Sequence, residues 1–389
     1  MSVPMPVPTT APARVLPAVL AAQLCTALAD NALLIVAIAL LEQRQAPGWA
    51  TPALRVAFYA AYVLLAPLAG LLAERVRKGS LMGLVNLLKL AGALALLAGA
   101  HPLLVFAAVG LGASAYAPAR YGILPELASG PSLLRANAAM EIVTIVAILA
   151  GTALGSVLVA RPYLQASCVV LAGVYALAAL CSVGSITVSA RSRDLPPMGF
   201  ASAVSCLLRD ALARHALMLT SLFWAAAAVL QFVLIDWARH HLGLSLAGAV
   251  LLPGALAIGM VAGAVLAGSA GKAPTGARAA LLAAALGIAI VLLPALHNAW
   301  AAASLLAAGG VLAGALLVPM NATLQARGAA LVGAGMSVAV QNCLENGLSL
   351  GFLAMYGLAL WLGASAAATL FGLGGIVLLA ILGGRHARA

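Results

Sequence analysis

Residues 245–270 read SLAGAVLLPGALAIGMVAGAVLAGSA, a run of 26 positions that contains no charged side chain. About 20 consecutive apolar residues suffice for a helix that crosses a bilayer. The run is rich in Ala, Leu and Gly and shows no alternation of polar and apolar positions, which argues against a strand. The stretch therefore predicts a transmembrane helix in which small residues allow close packing against neighbouring helices.

Similar runs recur along the whole chain of 389 residues, which is 65% hydrophobic and only 7% charged. A soluble domain usually carries about 25% charged residues, so this composition excludes a water-exposed surface of ordinary size. We predict an all-α integral membrane protein with twelve spans. They cover residues 15–41, 54–73, 80–99, 102–124, 132–159, 163–187, 216–238, 245–270, 278–296, 299–325, 330–359 and 361–382.

The first span contains a feature that imitates a cleavable signal peptide, because Ala27-Leu28-Ala29 stands before Asp30. The apolar run resumes at Ala32 and continues to Leu41, so we expect one long, uncleaved span. Five cysteines lie at positions 25, 168, 181, 206 and 343 and show no spacing typical of a disulfide or metal site. We expect no metal and no cofactor.

Basic residues predict how the chain is oriented. With the N-terminus inside, fifteen of the twenty Lys and Arg fall in inner segments, four fall in outer segments, and Lys89 lies within a span. This asymmetry follows the positive-inside rule and places both termini in the cytoplasm. The net charge of +11 is therefore explained without nucleic acid, for which no binding module is recognisable.

The longest polar connection divides the spans into six and six. It runs from Ser189 to His215 and contains Pro196-Pro197. We predict an N-terminal half over residues 1–188, a cytoplasmic linker over 189–215 and a C-terminal half over 216–389. Repeats of this kind place a substrate site near the middle of the membrane, between the halves.

The loop after the second span reads Gly70-Leu-Leu-Ala-Glu74-Arg75-Val-Arg77-Lys78-Gly79. It resembles the signature loop of the major facilitator superfamily, with Glu where Asp is usual and a turn about one residue short. Glu74 could bind a helix N-terminus or an Arg of the other half when the inner gate is shut. We predict a gating role for Gly70, Glu74, Arg75 and Lys78, against the alternative of an ordinary positive-inside loop.

Charged side chains inside the spans predict a polar cavity. Asp30, Lys89, Glu141 and Glu345 would each cost about 2.5–3.5 kcal/mol at a helix centre facing lipid, so they must face the interior or one another. A structural ion pair or hydrogen bonds between helices are the alternatives. With neutral polar neighbours, the candidate substrate-binding residues are Asp30, Asn31, Asn86, Lys89, Arg120, Asn137, Glu141, Gln231, Asn342 and Glu345.

Several segments together resemble the bacterial lysophospholipid transporters of this superfamily. They are Ala27–Leu34 (ALADNALL), Ala113–Leu124 (ASAYAPARYGIL), Leu134–Glu141 (LRANAAME), Thr220–Trp224 (TSLFW), Val318–Gly328 (VPMNATLQARG) and Gln341–Asn346 (QNCLEN). The resemblance extends over nearly the whole chain. It implies the superfamily fold and a flippase of the bacterial inner membrane that moves lysophospholipids, chiefly lysophosphatidylethanolamine, from the outer to the inner leaflet.

The resemblance also implies a functional partner, an acyltransferase paired with an acyl-ACP synthetase that reacylates the lipid. The headgroup carries an ammonium, which Asp30 or Glu141 could hold, and a phosphate, which Arg120, Lys89 or Asn side chains could hold. One departure concerns the seventh span, where the resemblance leads us to expect a basic residue and this chain has Gln231.

Two other functions stay open from the sequence. A proton-coupled drug or metabolite exporter on the same fold would use Asp30, Glu141 or Glu345 as its protonated group. A polytopic membrane enzyme such as a lipid acyltransferase is disfavoured, because the sequence has no G-x-S-x-G, no nucleophile near a His and no metal cluster. We therefore expect a transporter and not an enzyme.

Overall fold

The computed structural model describes residues 12–47, 49–160, 164–185, 198–271, 274 and 276–386. The predicted linker over 189–215 lies in part outside these residues. The described helices are α1 (Pro12–Gln43), α2 (Ala50–Leu64), α3 (Ala66–Arg75), α4 (Lys78–Leu97), α5 (Pro102–Leu127), α6 (Gly130–Val159), α7 (Leu164–Ser185), α8 (Phe200–Arg209), α9 (Ala211–His240), α10 (Leu246–Ala270), α11 (Gly276–Leu292), α12 (Ala299–Leu331), α13 (Ala334–Trp361) and α14 (Ala366–His386).

Ten of the described helices are long and apolar enough to cross a membrane. The helices α2 and α3, which bend by 59° at Leu65, count as an eleventh span if the pair crosses together, and α14 is a shorter apolar helix. The predicted all-α membrane fold is thereby confirmed, and its twelve spans agree approximately with these described helices. The last span differs most from its prediction, because α13 continues to Trp361 and Gly363 adopts a φ of 78° before α14 begins at Ala366.

The outer surface of the bundle is apolar, which fits helices surrounded by lipid. Leu64, Leu104 and Leu251 expose 76%, 72% and 72% of their surface, and further Leu, Val and Ile side chains are exposed along the bundle. In water such a surface would drive aggregation, whereas in hydrocarbon it has no cost.

Small residues bring the helices of the C-terminal half into backbone contact. A Cβ atom placed on Gly259 of α10 would lie 2.0 Å from the carbonyl oxygen of Ala307, and one on Gly310 of α12 would lie 2.1 Å from that of Leu256. Only glycine allows α10 and α12 to approach so closely. This packing explains why the decisive run at 245–270 is rich in Gly and Ala.

The two halves meet along two seams. In one, α6 of the N-terminal half packs against α10 and α12; in the other, α2, α3 and α5 pack against α13. Helix α8 lies beside α9, α12 and α13 at one end of the bundle, which we call the linker end. Polar side chains inside the bundle concentrate on the helices that form these seams and on α1 and α4.

Candidate functional site

Asp30 and Lys89 form an ion pair between α1 and α4. The Lys89 Nζ lies 2.6 Å from Asp30 Oδ2, and the Tyr175 hydroxyl of α7 donates to Asp30 Oδ1 at 2.7 Å. Lys89 is fully buried and its Nζ lies 5.4 Å from the centre of the Tyr116 ring. Both oxygens of Asp30 therefore have partners inside the N-terminal half.

Arg120 of α5 has a different environment. Only 9% of its surface is exposed, and its Nε has no hydrogen-bond partner. Its guanidinium stacks on Tyr121, with Cζ 4.1 Å from the ring centre, and lies 6.0 Å from the centre of the Tyr116 ring. Within the described residues Arg120 forms no ion pair, so its charge is balanced only at longer range.

Glu141 of α6 and Glu345 of α13 are buried carboxylates on opposite halves, with 4% and 8% of their surface exposed. In the described part of the chain Glu141 makes no hydrogen bond or ion pair, although the charge of Arg120 acts on it. Glu345 accepts a 2.8 Å hydrogen bond from Gln341, whose amide also donates to Asn321 at 2.8 Å. Among the described residues, no cation forms an ion pair with either carboxylate.

The charged groups act on a shared set of tyrosines. Asp30, Arg120 and Glu345 all contribute to the electrostatic environment of Tyr62, and Arg120, Glu141 and Glu345 do so for Tyr121. We call these charged residues and the tyrosines around them the central cluster. Its members are Asp30, Lys89, Arg120, Glu141 and Glu345 with Tyr62, Tyr116, Tyr121 and Tyr175. It draws on both halves and contains both signs of charge.

The neutral candidates lie in several places. Asn86 is fully buried and accepts a hydrogen bond from Thr26, while its Nδ2 has no partner in the described structure. Asn31 donates to the carbonyl of Ala27 at 2.8 Å on its own helix.

Gln231 and Asn342 belong to the C-terminal half. Gln231 of α9 is partly buried and donates to the carbonyl of Ala228 at 3.3 Å, one turn earlier on the same helix. The Nδ2 of Asn342 on α13 is buried and finds no partner among the described residues. Neither side chain forms a hydrogen bond to the charged residues of the central cluster.

Asn137 lies in a contact between the halves and outside the central cluster. Its amide exchanges two hydrogen bonds of 2.9 Å and 2.8 Å with the Gln325 amide of α12, and Nδ2 also donates to Leu133 O at 3.0 Å. Both side chains are buried. The pair joins α6 to α12 without any charge.

At the linker end, Glu74 joins α3 to the other half. Its Oε1 accepts from the backbone N–H of Gly335 at 2.6 Å and of Met336 at 3.1 Å, at the N-terminus of α13. Helix N-termini attract carboxylates because their first N–H groups have no partner within the helix. Gly333, with a φ of 93°, precedes this helix, and a Cβ there would lie 2.7 Å from Glu74 Oε1.

The other three gating candidates have different environments. Gly70 packs against α13, where a Cβ would lie 2.8 Å from Met336 Sδ. Lys78 is fully buried and pairs with Glu126 at the end of α5. Arg75 is exposed and, within the described residues, makes no hydrogen bond or ion pair. Gly70 and Glu74 therefore contact the C-terminal half directly at the linker end.

A further ion pair links the start of α9 to α12. Arg327 bonds to Asp210, with Nε 3.4 Å from Oδ1, and Asp210 also accepts from Ala213 N–H at 2.9 Å as the N-cap of α9. Two hydrogen bonds hold the pKa of Asp210 below its usual range. The bond from Arg327 has the largest effect, and the bond from the backbone N–H of Ala213 has the next largest.

Several interacting residues were not among the sequence-based candidates. Tyr175 binds Asp30, Gln325 binds Asn137, and Glu126 binds Lys78. Tyr175 and Glu126 interrupt otherwise apolar runs, which is a weak signal that sequence reasoning could have used. Gln325 lies at the predicted end of a span, where a polar residue is ordinary.

The C-terminal half also contains an apolar cavity of about 70 Å³ between α9, α10, α11 and α12. Its lining includes Phe223, Leu230, Leu256, Leu286 and Leu306. Among the described residues no charged side chain lines it, so it is chemically separate from the central cluster.

Comparison with known proteins identifies the family. The model of the Major Facilitator Superfamily matches residues 19–344. The chain is 42% identical over 365 residues to the lysophospholipid transporter LplT of Pectobacterium carotovorum subsp. carotovorum (strain PC1), covering 91% of this chain and 89% of that protein. It is 40% identical over 362 residues to LplT of Serratia proteamaculans (strain 568), covering 90% of each.

Solved structures agree on the fold. A crystal structure of the E. coli fucose:proton symporter FucP matches with a TM-score of 0.75 at 14% identity, over 97% of this chain and 99% of that chain. The human organic anion transporter MFSD10 matches with a TM-score of 0.72 at 17% identity, over 96% and 99%. These identities support the architecture alone. By sequence, the chain belongs to the major facilitator superfamily and, within it, to the family of bacterial lysophospholipid transporters.

Proposed function

We propose that the protein moves lysophospholipids, chiefly lysophosphatidylethanolamine, from the outer to the inner leaflet of the bacterial inner membrane. The observation that carries the proposal is the central cluster, in which Arg120 and Glu141, of opposite charge, are buried without a hydrogen bond or ion pair to any described residue. Buried charges of this kind are costly, so they favour a ligand that brings the complementary charges. The names of the relatives at 40–42% identity support a lysolipid as that ligand.

A lysophosphatidylethanolamine headgroup is a zwitterion that matches such a cluster. Glu141 and Glu345 are the carboxylates of the cluster that lack a cation among the described residues, so they are the proposed partners of the ammonium. Asp30 is less suited to this role than the sequence suggested, because Lys89 and Tyr175 already occupy both of its oxygens. The Asp30–Lys89 pair is then a positioning element of the N-terminal half.

The acyl chain needs no polar path. The seams between α6 and α10 and between α2–α3 and α13 are the proposed lateral openings, through which the tail stays among apolar side chains while the headgroup crosses. Closure of the linker end by Glu74 and Gly70 supports alternating access, in which that end opens after the headgroup has bound.

The charge distribution supports an orientation with both termini in the cytoplasm and the linker end facing inward. The lysolipid would then arrive in the inner leaflet. There we propose that an acyltransferase with an acyl-ACP synthetase restores the second acyl chain, as the functional partner of this protein.

Uptake of labelled lysophosphatidylethanolamine tests the function. Spheroplasts that lack their own transporter are compared with and without this protein, and conversion of the label to diacyl lipid is followed. We expect protein-dependent uptake, abolished by Glu141→Gln and retained by the control Arg135→Gln, an exposed arginine at the start of α6. Absence of uptake with the protein present in the membrane would overturn the proposal.

A proton-coupled exporter is the second candidate, because Glu345 is a buried carboxylate whose hydrogen bond comes from a neutral amide, and it could carry a proton. Dye efflux driven by a proton gradient separates the two. Efflux without lysolipid uptake supports the exporter, and uptake without efflux supports the lysolipid transporter.

A further inference from the structure

Two neighbouring polar side chains of α5 are buried with unused hydrogen-bond donors. Within the described structure Arg120 Nε and the Tyr116 hydroxyl have no partner, and only 9% and 3% of these residues are exposed. They stand four positions apart, so they share one face of the helix. The Arg120 Cζ lies 6.0 Å from the centre of the Tyr116 ring.

An unused buried donor is costly, and a buried guanidinium without an acceptor is more so. Most buried polar groups in proteins are satisfied, so two adjacent exceptions need an explanation. Both atoms can donate a hydrogen bond, and Arg120 adds a full positive charge. The ligand that suits them is an anion with several acceptor oxygens.

The other cation of the central cluster is not available for this role. Lys89 binds Asp30 at 2.6 Å and is enclosed by the rings of Tyr116 and Tyr175, whose centres lie 5.4 Å and 6.0 Å from its Nζ. Among the described residues Arg120 is thus the cation of this cluster without a direct counter-ion. Glu141 acts on it only at longer range.

We propose that Arg120 and Tyr116 form an anion subsite that binds the phosphodiester of the lysophospholipid. The guanidinium, whose Cζ lies 4.1 Å from the centre of the Tyr121 ring, presents its nitrogens to the phosphate oxygens, and the Tyr116 hydroxyl donates to the same group. This inference rests on the proposed function and sharpens it, since it assigns the phosphate to one residue pair on the N-terminal half and excludes Lys89.

Binding of labelled lysophosphatidylethanolamine to the purified full-length protein in nanodiscs tests the subsite. Arg120→Gln should weaken binding about 10- to 100-fold, the range expected for a charge-assisted hydrogen bond, and Tyr116→Phe about 3- to 10-fold. Arg135→Gln is the matched control and should leave the affinity unchanged. Monoacylglycerol, which has the tail without the phosphate, should compete equally well against the wild-type protein and Arg120→Gln.

The competitors also distinguish the source of the anion. Inorganic phosphate and glycerophosphoethanolamine lack the tail and should compete at least about 100-fold more weakly than the lysolipid. Inorganic phosphate that competes as well as the lysolipid would overturn the assignment to a lipid headgroup. So would an Arg120→Gln variant with unchanged affinity for the lysolipid, or one that loses monoacylglycerol binding to the same degree.

Failure of the subsite and failure of the proposed function give different results. If the wild-type protein binds lysophosphatidylethanolamine no better than monoacylglycerol, lysolipid recognition itself is wrong and the subsite falls with it. If the wild-type protein binds and the variants do not differ, only the subsite is wrong. Should Arg120→Gln fail to fold, Tyr116→Phe decides the matter by the same comparison.

Discussion

The linker end and the central cluster use polar side chains in opposite ways. At the linker end the key groups have protein partners: Glu74 binds the start of α13, Lys78 binds Glu126, and Arg327 binds Asp210. In the central cluster neither Arg120 nor Glu141 forms a hydrogen bond or an ion pair with a described residue. Satisfied groups hold a conformation, whereas unsatisfied ones are available to a ligand. This difference agrees with the proposed gate at the linker end and the proposed binding site in the central cluster.

The largest expected effect tests a partnered pair inside the central cluster. Asp30→Ala leaves fully buried Lys89 without a counter-ion, which should destabilise the protein by about 3–5 kcal/mol. Thermal unfolding in detergent and abundance in the membrane measure this loss. Glu141→Ala is the matched variant; it removes a carboxylate that makes no direct bond within the described residues, so transport should be lost with little change in stability.

Equal destabilisation by the two variants would break this distinction, because Glu141 would then have to be a structural group like Asp30. A stable Asp30→Ala protein that has lost transport would return Asp30 to the binding site, where the sequence first placed it.

The next effect concerns the gate. Glu74→Ala removes the acceptor for two N–H groups of α13, each bond being worth about 1.5–3 kcal/mol when an ion accepts it. The population with an open linker end should therefore rise at least about tenfold. Alkylation of Val338→Cys, a position only 2% exposed on α13, reports the opening in a background without the native cysteines.

Arg75→Ala is the control for the gate, since Arg75 is the exposed neighbour of Glu74. It should leave the alkylation rate unchanged. An equal rise in both variants would assign the effect to the net charge of the loop and not to the bond between halves.

These contrasts also explain what the sequence could predict. Run length, charge asymmetry and the six-plus-six division determine the fold, because lipid imposes one requirement on every span. The sequence could predict candidate site residues because a charged residue within an apolar run is unusual. These residues are Asp30, Lys89, Glu141 and Glu345. Which of them pair was not predictable, because pairing depends on helix rotation, and Lys89 faces Asp30 across a separation of 59 residues along the chain.

The bend at Leu65 was missed for a related reason. Residues 54–73 predict one span, and Pro67 lies just after the break, inside the apolar run. Proline has no N–H to donate to the carbonyl four residues earlier, which here belongs to Val63, and its ring clashes with that carbonyl. The bend allows both α2 and α3 to pack against α5 and α13, and such tertiary contacts leave no local pattern.

A smaller effect is expected at the neutral pair between the halves. Asn137→Leu and Gln325→Leu should each destabilise the protein, and the double variant should lose less than the sum, since no unpaired amide remains. A coupling energy of about 0.6–1.7 kcal/mol is typical for such bonds in membranes. Thermal unfolding measures it; Asn31→Ala, whose amide bonds only its own helix, combined with Gln325→Leu should show no coupling.

The smallest expected effect concerns the partly exposed pair of Asp210 and Arg327. Arg327 holds the pKa of Asp210 below its usual value of about 3.9, so the pair stabilises the folded protein above that pH and loses its effect as the pH falls through the lowered pKa.

Asp210→Asn keeps the N-cap of α9 and removes the charge. The difference in unfolding temperature from the wild-type protein should be small and constant from about pH 7 to about pH 4, and should vanish below. Arg327→Gln should give the same profile, and the double variant should add nothing. A difference that grows on acidification would contradict the pairing, and would mean that the N-cap of α9 alone holds the linker end at this point.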